Sequence, residues 1–461
     1  MLSTNKKEPL ILLIGDVFCL FFALFLSLYL RFFEIPTADT IFISIPPWSF
    51  IFGITILSFF IAGLYEKHRS MLRKKIPELL FNTEIINSVV AIVFFYFTPF
   101  FGVSPKTILF IYIIISFIIL FIWRMTALNF FFSREKENAI LIARGEEAQL
   151  LEKEINENPR YSFKIISRID IETKGLDFEK DVLEKIAKEN VKILIVDSVD
   201  QKISGFLPNF YNLIFSRITF LEMHDLYEEV FDRVPVSLLD YSWFLEHISA
   251  SPREVYDVLK RLMDIIISIP LFIISLIFYP FIYIAELFEG NKTLFSYQER
   301  VGQFGKTIKL IKFRTMTYDD NGDWPAGHAL SQQAMAGGQR AEKNRVTKVG
   351  KFLRMSRLDE VPQLINVIRG DISLIGPRPE FPKAVGEYEK QIPYYGVRHI
   401  IKPGLSGWAQ IYGEHAHHGI GVTETKNKLS YDLFYIKRRS LLLDLVIALK
   451  TIKTLLSRQG I

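Results

Sequence analysis

Cysteine is almost absent: Cys19 is the single one in 461 residues. It lies inside an apolar run, which excludes a disulfide framework and any thiolate metal site. Histidine is scarce as well, with 8 in the chain. Three of these, His415, His417 and His418, follow Glu414 and invite a zinc reading, but their glycine-flanked segment offers no helical or CxxC frame to hold ligands. A large excess of one charge is also lacking. The formal net charge of +5 gives no case for a nucleic-acid partner. The first apolar run is too long for a signal peptide and no small-residue cleavage site follows it, so no cleaved leader is expected.

Glycine is short where a dinucleotide fold would need it. Ala143-Arg144-Gly145-Glu146-Glu147-Ala148 follows a strand-like run but carries one of the three fingerprint glycines, with two glutamates facing the place of a pyrophosphate. The flanking sequence still reads as a Rossmann-like α/β module. Asn138–Ala143 and Lys192–Asp197 are short buried-strand runs, with helical patterns at Glu146–Asn156 and Lys180–Glu189.

Apolar residues are abundant, half the chain, and the 41 phenylalanines gather in the first third and again near 272–295. Four runs, Leu10–Phe33, Ile41–Leu64, Ile85–Phe101 and Ile108–Phe131, approach the roughly 20 residues needed to span a bilayer. Lys6 and Lys7 precede the first run. Lys67, Arg69, Arg73, Lys74 and Lys75 fill the second loop, and Arg134 and Lys136 follow the fourth run. The positive-inside rule then puts both ends of the block in the cytoplasm. Asp16 and Arg124, inside spans, are candidates for function, though terminal snorkelling or an intrahelical pair is the better reading. A fifth run, Leu262–Ala285, is long enough to span, yet Ser268, Pro270 and Pro280 suit a helix that enters and returns through one face.

The remaining sequence carries the candidate chemistry. Pro362 fixes where a helix over Asp359–Arg369 can begin, because proline is tolerated only in a first turn. The spacing predicts Asp359 as N-cap, Arg369 in the last turn and Gly370 as the stop. A competing start, a Ser356-x-x-Asp359 capping box, would bury Pro362 in the helix interior. Asp359 and Glu360 then stand where an anionic phosphate would settle. Lys312 and Arg314 read as cations on one face of a strand, suited to a diphosphate. Tyr318–Lys343 reads as a long polar loop. Gly376-Pro377-Arg378-Pro379 is a stiff turn aiming one guanidinium, and Lys402–Gln410 is another stiff loop. Lys428–Ser457 reads as helix, its basic flanks suiting an interface with anionic lipid or a core-packed helix.

These motifs resemble the catalytic domain of the bacterial sugar transferases, the monotopic phosphoglycosyltransferases. The matching elements are Lys260-Arg261…Asp264, Gln298–Gly302, Lys312–Met316, Arg345-Val346-Thr347, Arg357–Asn366, Gly370–Pro379, Lys402–Gln410 and Lys428–Asp432. The four-span block, the Rossmann-like middle, Asp232–Val236 and Trp243 are similar to the large subclass that primes exopolysaccharide and O-antigen synthesis. The resemblance implies a membrane protein of α and α/β class in three parts: four transmembrane helices over 1–136, a Rossmann-like cytoplasmic domain over 137–250, and a catalytic domain over 251–461. The last would include a re-entrant helix at about 262–285, broken at Ser268 and Pro270.

It further implies transfer of a sugar 1-phosphate from a UDP-sugar to undecaprenyl phosphate, with release of UMP, by covalent ping-pong catalysis with Mg²⁺. Asp359 would be the nucleophile and Glu360 its acid/base or metal-orienting neighbour, both beside the metal. Lys312, Arg314, Arg345, Arg378 and Gln363 would hold substrate phosphates. The expected setting is the bacterial inner membrane, catalytic side to the cytoplasm, with the lipid bilayer as partner and a homo-oligomer left open. Lys343-Asn344 departs from the family's usual Asp-Pro pair, and the histidine-rich segment lies outside its pattern. The alternatives are a sugar-nucleotide oxidoreductase or epimerase using the middle domain, opposed by the missing glycines, and an inactive scaffold of a polysaccharide export complex, opposed by the intact carboxylate pair.

Overall fold

The computed structural model describes residues 8–65, 72–97, 106–132, 136–158, 161–170, 182–198, 200, 218–248, 253–289, 293–316, 346–413 and 421–457. They fall into two compact units, Met1–Phe231 and Asp232–Ile461.

The first unit opens with four long helices: α1 (Glu8–Phe32), α2 (Ala38–Ala62), α3 (Leu72–Phe97) and α4 (Lys106–Phe132). Each holds a stretch long and apolar enough to cross a membrane. Their outer faces leave Phe18, Phe42 and Ile86 exposed, while Trp48, Phe52, Phe59 and Leu120 fill the interior. Apolar on both the inner and the outer side is the pattern of helices solvated by lipid. Asp16 and Arg124 correct the expectation drawn from their positions. They neither snorkel nor pair within a helix but join α1 to α4, both fully or nearly fully buried. Arg124 donates through Nε to Asp16 Oδ1 at 3.1 Å and through Nη1 to the Leu64 carbonyl at 2.9 Å. Tyr65 donates to the other carboxylate oxygen at 2.6 Å. A charge in so apolar a setting is tolerated only when paired and hydrogen-bonded.

The rest of this unit is a parallel sheet of β1 (Glu137–Ile142), β2 (Phe163–Ile169), β3 (Val191–Val196) and β4 (Thr219–Glu222), in the order β2-β1-β3-β4. Helices α5 (Gly145–Glu157), α6 (Glu184–Lys188) and α7 (Met223–Phe231) accompany it. Ile140, Ile142, Leu194 and Val196 form its core. The helical pattern over Lys180–Glu189 is met by helical residues from Val182 to Lys188, including α6; Lys180 and Asp181 lie outside the described residues. Glu146 and Glu147 occupy the first turn of α5, so the positive end of that helix already faces acidic side chains.

The second unit begins with residues 232–248, which pack into its core. Val234, Leu239 and Trp243 join Trp408, Leu433 and Tyr435 there, and Trp243 lies on α8 (Tyr241–His247). Next comes α9 (Glu254–Ser275), a 3₁₀ turn over Leu276–Phe278, and α10 (Tyr279–Phe288), the fifth segment long and apolar enough to cross a membrane. Helix α9 runs on through buried Ser268 and exposed Pro270, and regular α-helical bonding gives way later, at Leu276–Phe278, just ahead of Pro280 in the first turn of α10. The chain is therefore a membrane α/β protein, with five candidate spans and a parallel sheet among the described residues.

An antiparallel hairpin of β5 (Phe295–Val301) and β6 (Thr307–Phe313) follows. After it come α11 (Lys348–Met355), a 3₁₀ turn over Leu358–Gln363, α12 (Leu364–Arg369), β7 (Ser373–Ile375), α13 (Pro382–Gln391), β8 (Gly404–Ser406), α14 (Trp408–Tyr412), α15 (Val422–Arg438) and α16 (Leu441–Ser457). The helical reading of Lys428–Ser457 is met by α15 and α16, with a break at Arg439 and Ser440.

Both ends of the α9–α10 segment grip this unit. Lys260 Nζ meets Asp444 Oδ2 at 3.0 Å, and Arg261 donates at 2.6 Å to each of the Val367 and Ile368 carbonyls at the end of α12. Asp264 accepts from Ser373 Oγ and from the Leu374 N–H. At the far end Glu289 accepts from the first N–H groups of α11, Lys348 and Val349, at 3.0 Å each. Between these grips Leu262, Ile266, Leu271, Ile273 and Ile277 remain exposed.

Candidate active site

The carboxylate pair sits in a turn whose start is strained. Arg357 has φ 58, a left-handed conformation that bulky L-residues adopt at a cost of roughly 1–2 kcal/mol. It follows the C-cap of α11, Ser356, and leads directly into the 3₁₀ turn. Asp359 is thus the second residue of that turn and not an N-cap, which corrects the expected helix start; Arg357 occupies the cap position. Ser356 makes no capping box either, since its Oγ donates back to the Phe352 carbonyl at the end of α11. The tighter 3₁₀ geometry takes up Pro362, and α-helical bonding starts only at Leu364. Arg369 in the last turn and Gly370 at φ 91 end α12 as the spacing predicts.

Two distant elements supply charge to this turn. Lys312, near the end of β6, places Nζ 3.0 Å from Glu360 Oε1. Arg378 brings Nη2 to 2.9 Å from the same oxygen. Buried Asn366 fixes the turn against β6: its Oδ1 accepts from the Ile311 N–H at 3.0 Å, and its Nδ2 donates to the Lys309 carbonyl at 2.8 Å. The position of Arg378 depends on glycine. Gly376 donates to the Ser406 carbonyl and Gly404 to the Pro377 carbonyl, and a Cβ on Gly404 would stand 2.0 Å from the Gly376 nitrogen. Only glycines let the two stiff loops close on each other. Behind them Arg398 donates to the Arg378 carbonyl at 2.9 Å and pairs with buried Asp432 at 2.8 Å.

The two acids occupy opposite electrostatic environments. Burial and then the neighbouring Glu360 charge push the Asp359 carboxyl above its usual range, against the pull of Lys312, Arg354 and Arg357. Burial would raise Glu360 as well, but Arg378 and Lys312 outweigh it and hold that group well below the usual range. Glu360 is therefore a fixed charge and Asp359 the member whose protonation can change. Asp359 Oδ1 is buried and has no hydrogen-bond partner among the described residues. A carboxylate oxygen of that kind, beside a second carboxylate, fits a hard divalent cation with oxygen ligands.

Of the residues singled out from the sequence, Asp359, Glu360, Lys312 and Arg378 come together. Gln363 is buried at the end of the same 3₁₀ turn. Arg314 follows β6, its N–H bonded to the Leu294 carbonyl. Arg345, Lys343, Asn344, Tyr318–Lys343 and the three histidines His415, His417 and His418 lie outside the described residues. Arg354 and Arg357, whose charges act on Asp359, were not singled out. Their spacing, one helical turn apart and just ahead of the pair, was the available signal. Arg354 is held by donation from its Nε to Thr315 Oγ1 at 3.0 Å.

A buried acid pair ringed by lysine and arginine, next to an apolar helix, defines the second unit as one suited to anionic substrates at a membrane. Residues 255–458 match the family model described as bacterial sugar transferase. The relative from Aeromonas hydrophila named UDP-N-acetylgalactosamine-undecaprenyl-phosphate N-acetylgalactosaminephosphotransferase is 39% identical over 215 residues, 46% of this chain and 47% of that one. A UDP-glucose:undecaprenyl-phosphate glucose-1-phosphate transferase of Caulobacter vibrioides is 35% identical over 213 residues, 45% of this chain and 73% of its own. The uncharacterized sugar transferase EpsL of Bacillus subtilis is 36% identical over 206 residues, 44% of this chain and 90% of that one. This chain belongs to the bacterial sugar transferase family. It spans about half the length of the first of these relatives, 47%.

Proposed function

We propose that this chain transfers a sugar 1-phosphate from a UDP-sugar to undecaprenyl phosphate at the cytoplasmic face of a bacterial inner membrane, starting the assembly of an exopolysaccharide or O-antigen. The observation that carries the reading is the split of the acid pair, Glu360 fixed as an anion by Lys312 and Arg378 and Asp359 left with an unbonded oxygen. The names of the relatives supply the substrate class.

In this reading an Asp359 oxygen attacks the sugar-bearing phosphorus of the UDP-sugar. The bond from that phosphorus to the oxygen bridging the two phosphates breaks, and UMP leaves. An oxygen of undecaprenyl phosphate then attacks the same phosphorus and breaks its bond to Asp359, which restores the carboxylate. Such a transfer places most of its demand on positioning and charge. Lys312, Arg354, Arg357 and Arg378 meet that demand around the turn, with Arg314, Arg345 and Gln363 as further substrate contacts. Asp359 and Glu360 would hold Mg²⁺, which when bound neutralises diphosphate charge. We further infer that α9–α10 enters and leaves the same membrane face. Both of its ends grip one unit while its middle stays apolar and exposed, and a spanning helix would separate the site from cytoplasmic nucleotides.

Membranes carrying this protein, given UDP-sugar, Mg²⁺ and undecaprenyl phosphate, should release UMP, and Asp359→Asn should abolish the release. Release of UDP instead would indicate ordinary glycosyl transfer and overturn the proposal. A panel of UDP-sugars read by the same assay identifies the sugar.

A further inference from the structure

We propose that Asp197, Glu222 and His224 form a site for one divalent transition-metal ion of the Zn²⁺ type in the Rossmann-like part of the first unit. Asp197 directly follows β3, Glu222 ends β4 and His224 is the second residue of α7. The parallel pairing of Val196 with Glu222 brings the three to one edge of the sheet, beyond the carboxyl ends of its strands. That edge is where open α/β sheets bind ligands.

One donor atom from each residue lies within 4.8 Å of the other two. Asp197 Oδ1 stands 3.3 Å from His224 Nε2. That separation is close to the edge of about 3.4 Å between ligands held tetrahedrally about 2.1 Å from an ion. Both side chains are buried, yet Asp197 Oδ1 and both ring nitrogens of His224 form no hydrogen bond with any described residue. A simple Asp–His ion pair would require a protonated ring and would still leave Nδ1 without a partner, a costly arrangement inside a protein.

Glu222 is already oriented. Its Oε2 accepts from the His224 N–H at 2.8 Å, and its Oε1 accepts from the Ser198 N–H at 3.2 Å and Oγ at 3.3 Å. Oε2, which accepts a single bond, keeps a lone pair for an ion. Buried Glu228, one helical turn beyond His224, brings a third carboxylate charge to bear on the imidazole. The mixed nitrogen and oxygen donors favour Zn²⁺ or a neighbouring transition metal over Mg²⁺ or Ca²⁺, which take oxygen alone. The ion would tie the end of β3 to the start of α7, a structural role separate from the chemistry at Asp359.

The test uses the full chain, tag-free in detergent, with His415, His417 and His418 replaced by asparagine to remove the other histidine cluster. After chelation the protein is titrated with Co²⁺, read by visible absorption, and separately loaded with Zn²⁺ for X-ray absorption. The expected result is one tightly held ion per chain with imidazole nitrogen in its shell, and a melting temperature raised by Zn²⁺. His224→Gln, Asp197→Asn and Glu222→Gln should each weaken binding by at least about tenfold, the loss that removing even an outer partner of a metal ligand brings. Asp359→Asn should leave this affinity unchanged. An all-oxygen shell, no binding at micromolar ion, or unchanged affinity in His224→Gln overturns the proposal. If a variant fails to fold, the ligand shell of the Zn²⁺-loaded parent decides alone.

Discussion

At the scale of single residues, the raised Asp359 and the depressed Glu360 set a direction for pH dependence. In the proposed transfer Asp359 attacks only when ionised, and burial keeps its proton on to higher pH than the ordinary value of 3.8. The acid limb of kcat/KM, which reports groups of the free enzyme, should therefore fall as pH drops through a midpoint above that value. Lys312→Met removes a charge that favours the ionised form, so its limb should move further up. A pH–rate profile of UMP release checks both, and a limb at or below the ordinary carboxylate value would sink the assignment. The acid pair and its two flanking cations were legible because each lies in a short stiff motif: Asp359 and Glu360 ahead of Pro362, Arg378 between two prolines, Lys312 on an alternating strand. What was not legible was the backbone of Arg357. Its left-handed conformation belongs to the passage from α11 into the 3₁₀ turn, and Pro362 fits a 3₁₀ turn there as well as it would fit a first α-turn.

At the scale of elements, the contact between the Gly376 turn and the Gly404 loop decides where Arg378 points. Gly404→Ala must push these backbones apart, an overpacking that costs about 1–3 kcal/mol. Thermal melting should drop by several degrees, and a guanidinium displaced by about 1 Å should slow UMP release by up to about 100-fold. Gly386→Ala, on α13 with open space around it, is the control and should leave UMP release unchanged and the melting temperature equal or slightly raised. For α9–α10, a reporter fused after Gly290 should read cytoplasmic; an external signal contradicts a segment that returns to its own side. The strands show why some elements stand out in sequence and others do not. β1 and β3 are central in the sheet, covered on both faces, and form continuous apolar runs. β2, with Lys164, Ser167 and Arg168, and the four-residue β4 are its edges, and partial solvation breaks the pattern that would announce them.

At the scale of the molecule, the four-helix block is joined by contacts that sequence distance conceals. Asp16 and Arg124 lie 108 residues apart, so only the packed helices make them partners. Removing one member of a buried pair costs about 3–5 kcal/mol, while replacing both by apolar residues is often close to neutral. Asp16→Leu and Arg124→Met should therefore each lower the melting temperature of the purified protein more than the double variant does. Additive losses would show that the two side chains act independently. In the second unit the same residues that fasten α9 also finish the fold around the acid pair. Arg261 closes the carbonyl end of α12, and Asp264 holds the first bonds of the strand that leads to Arg378. With α9 in lipid as proposed, a change in its tilt would pull, through Arg261, on the helix that continues from the acid-bearing turn. In the proposed reaction bilayer thickness then becomes a variable of the rate, and a truncation that removes α9 takes away a support of the acid-bearing turn and not a mooring alone.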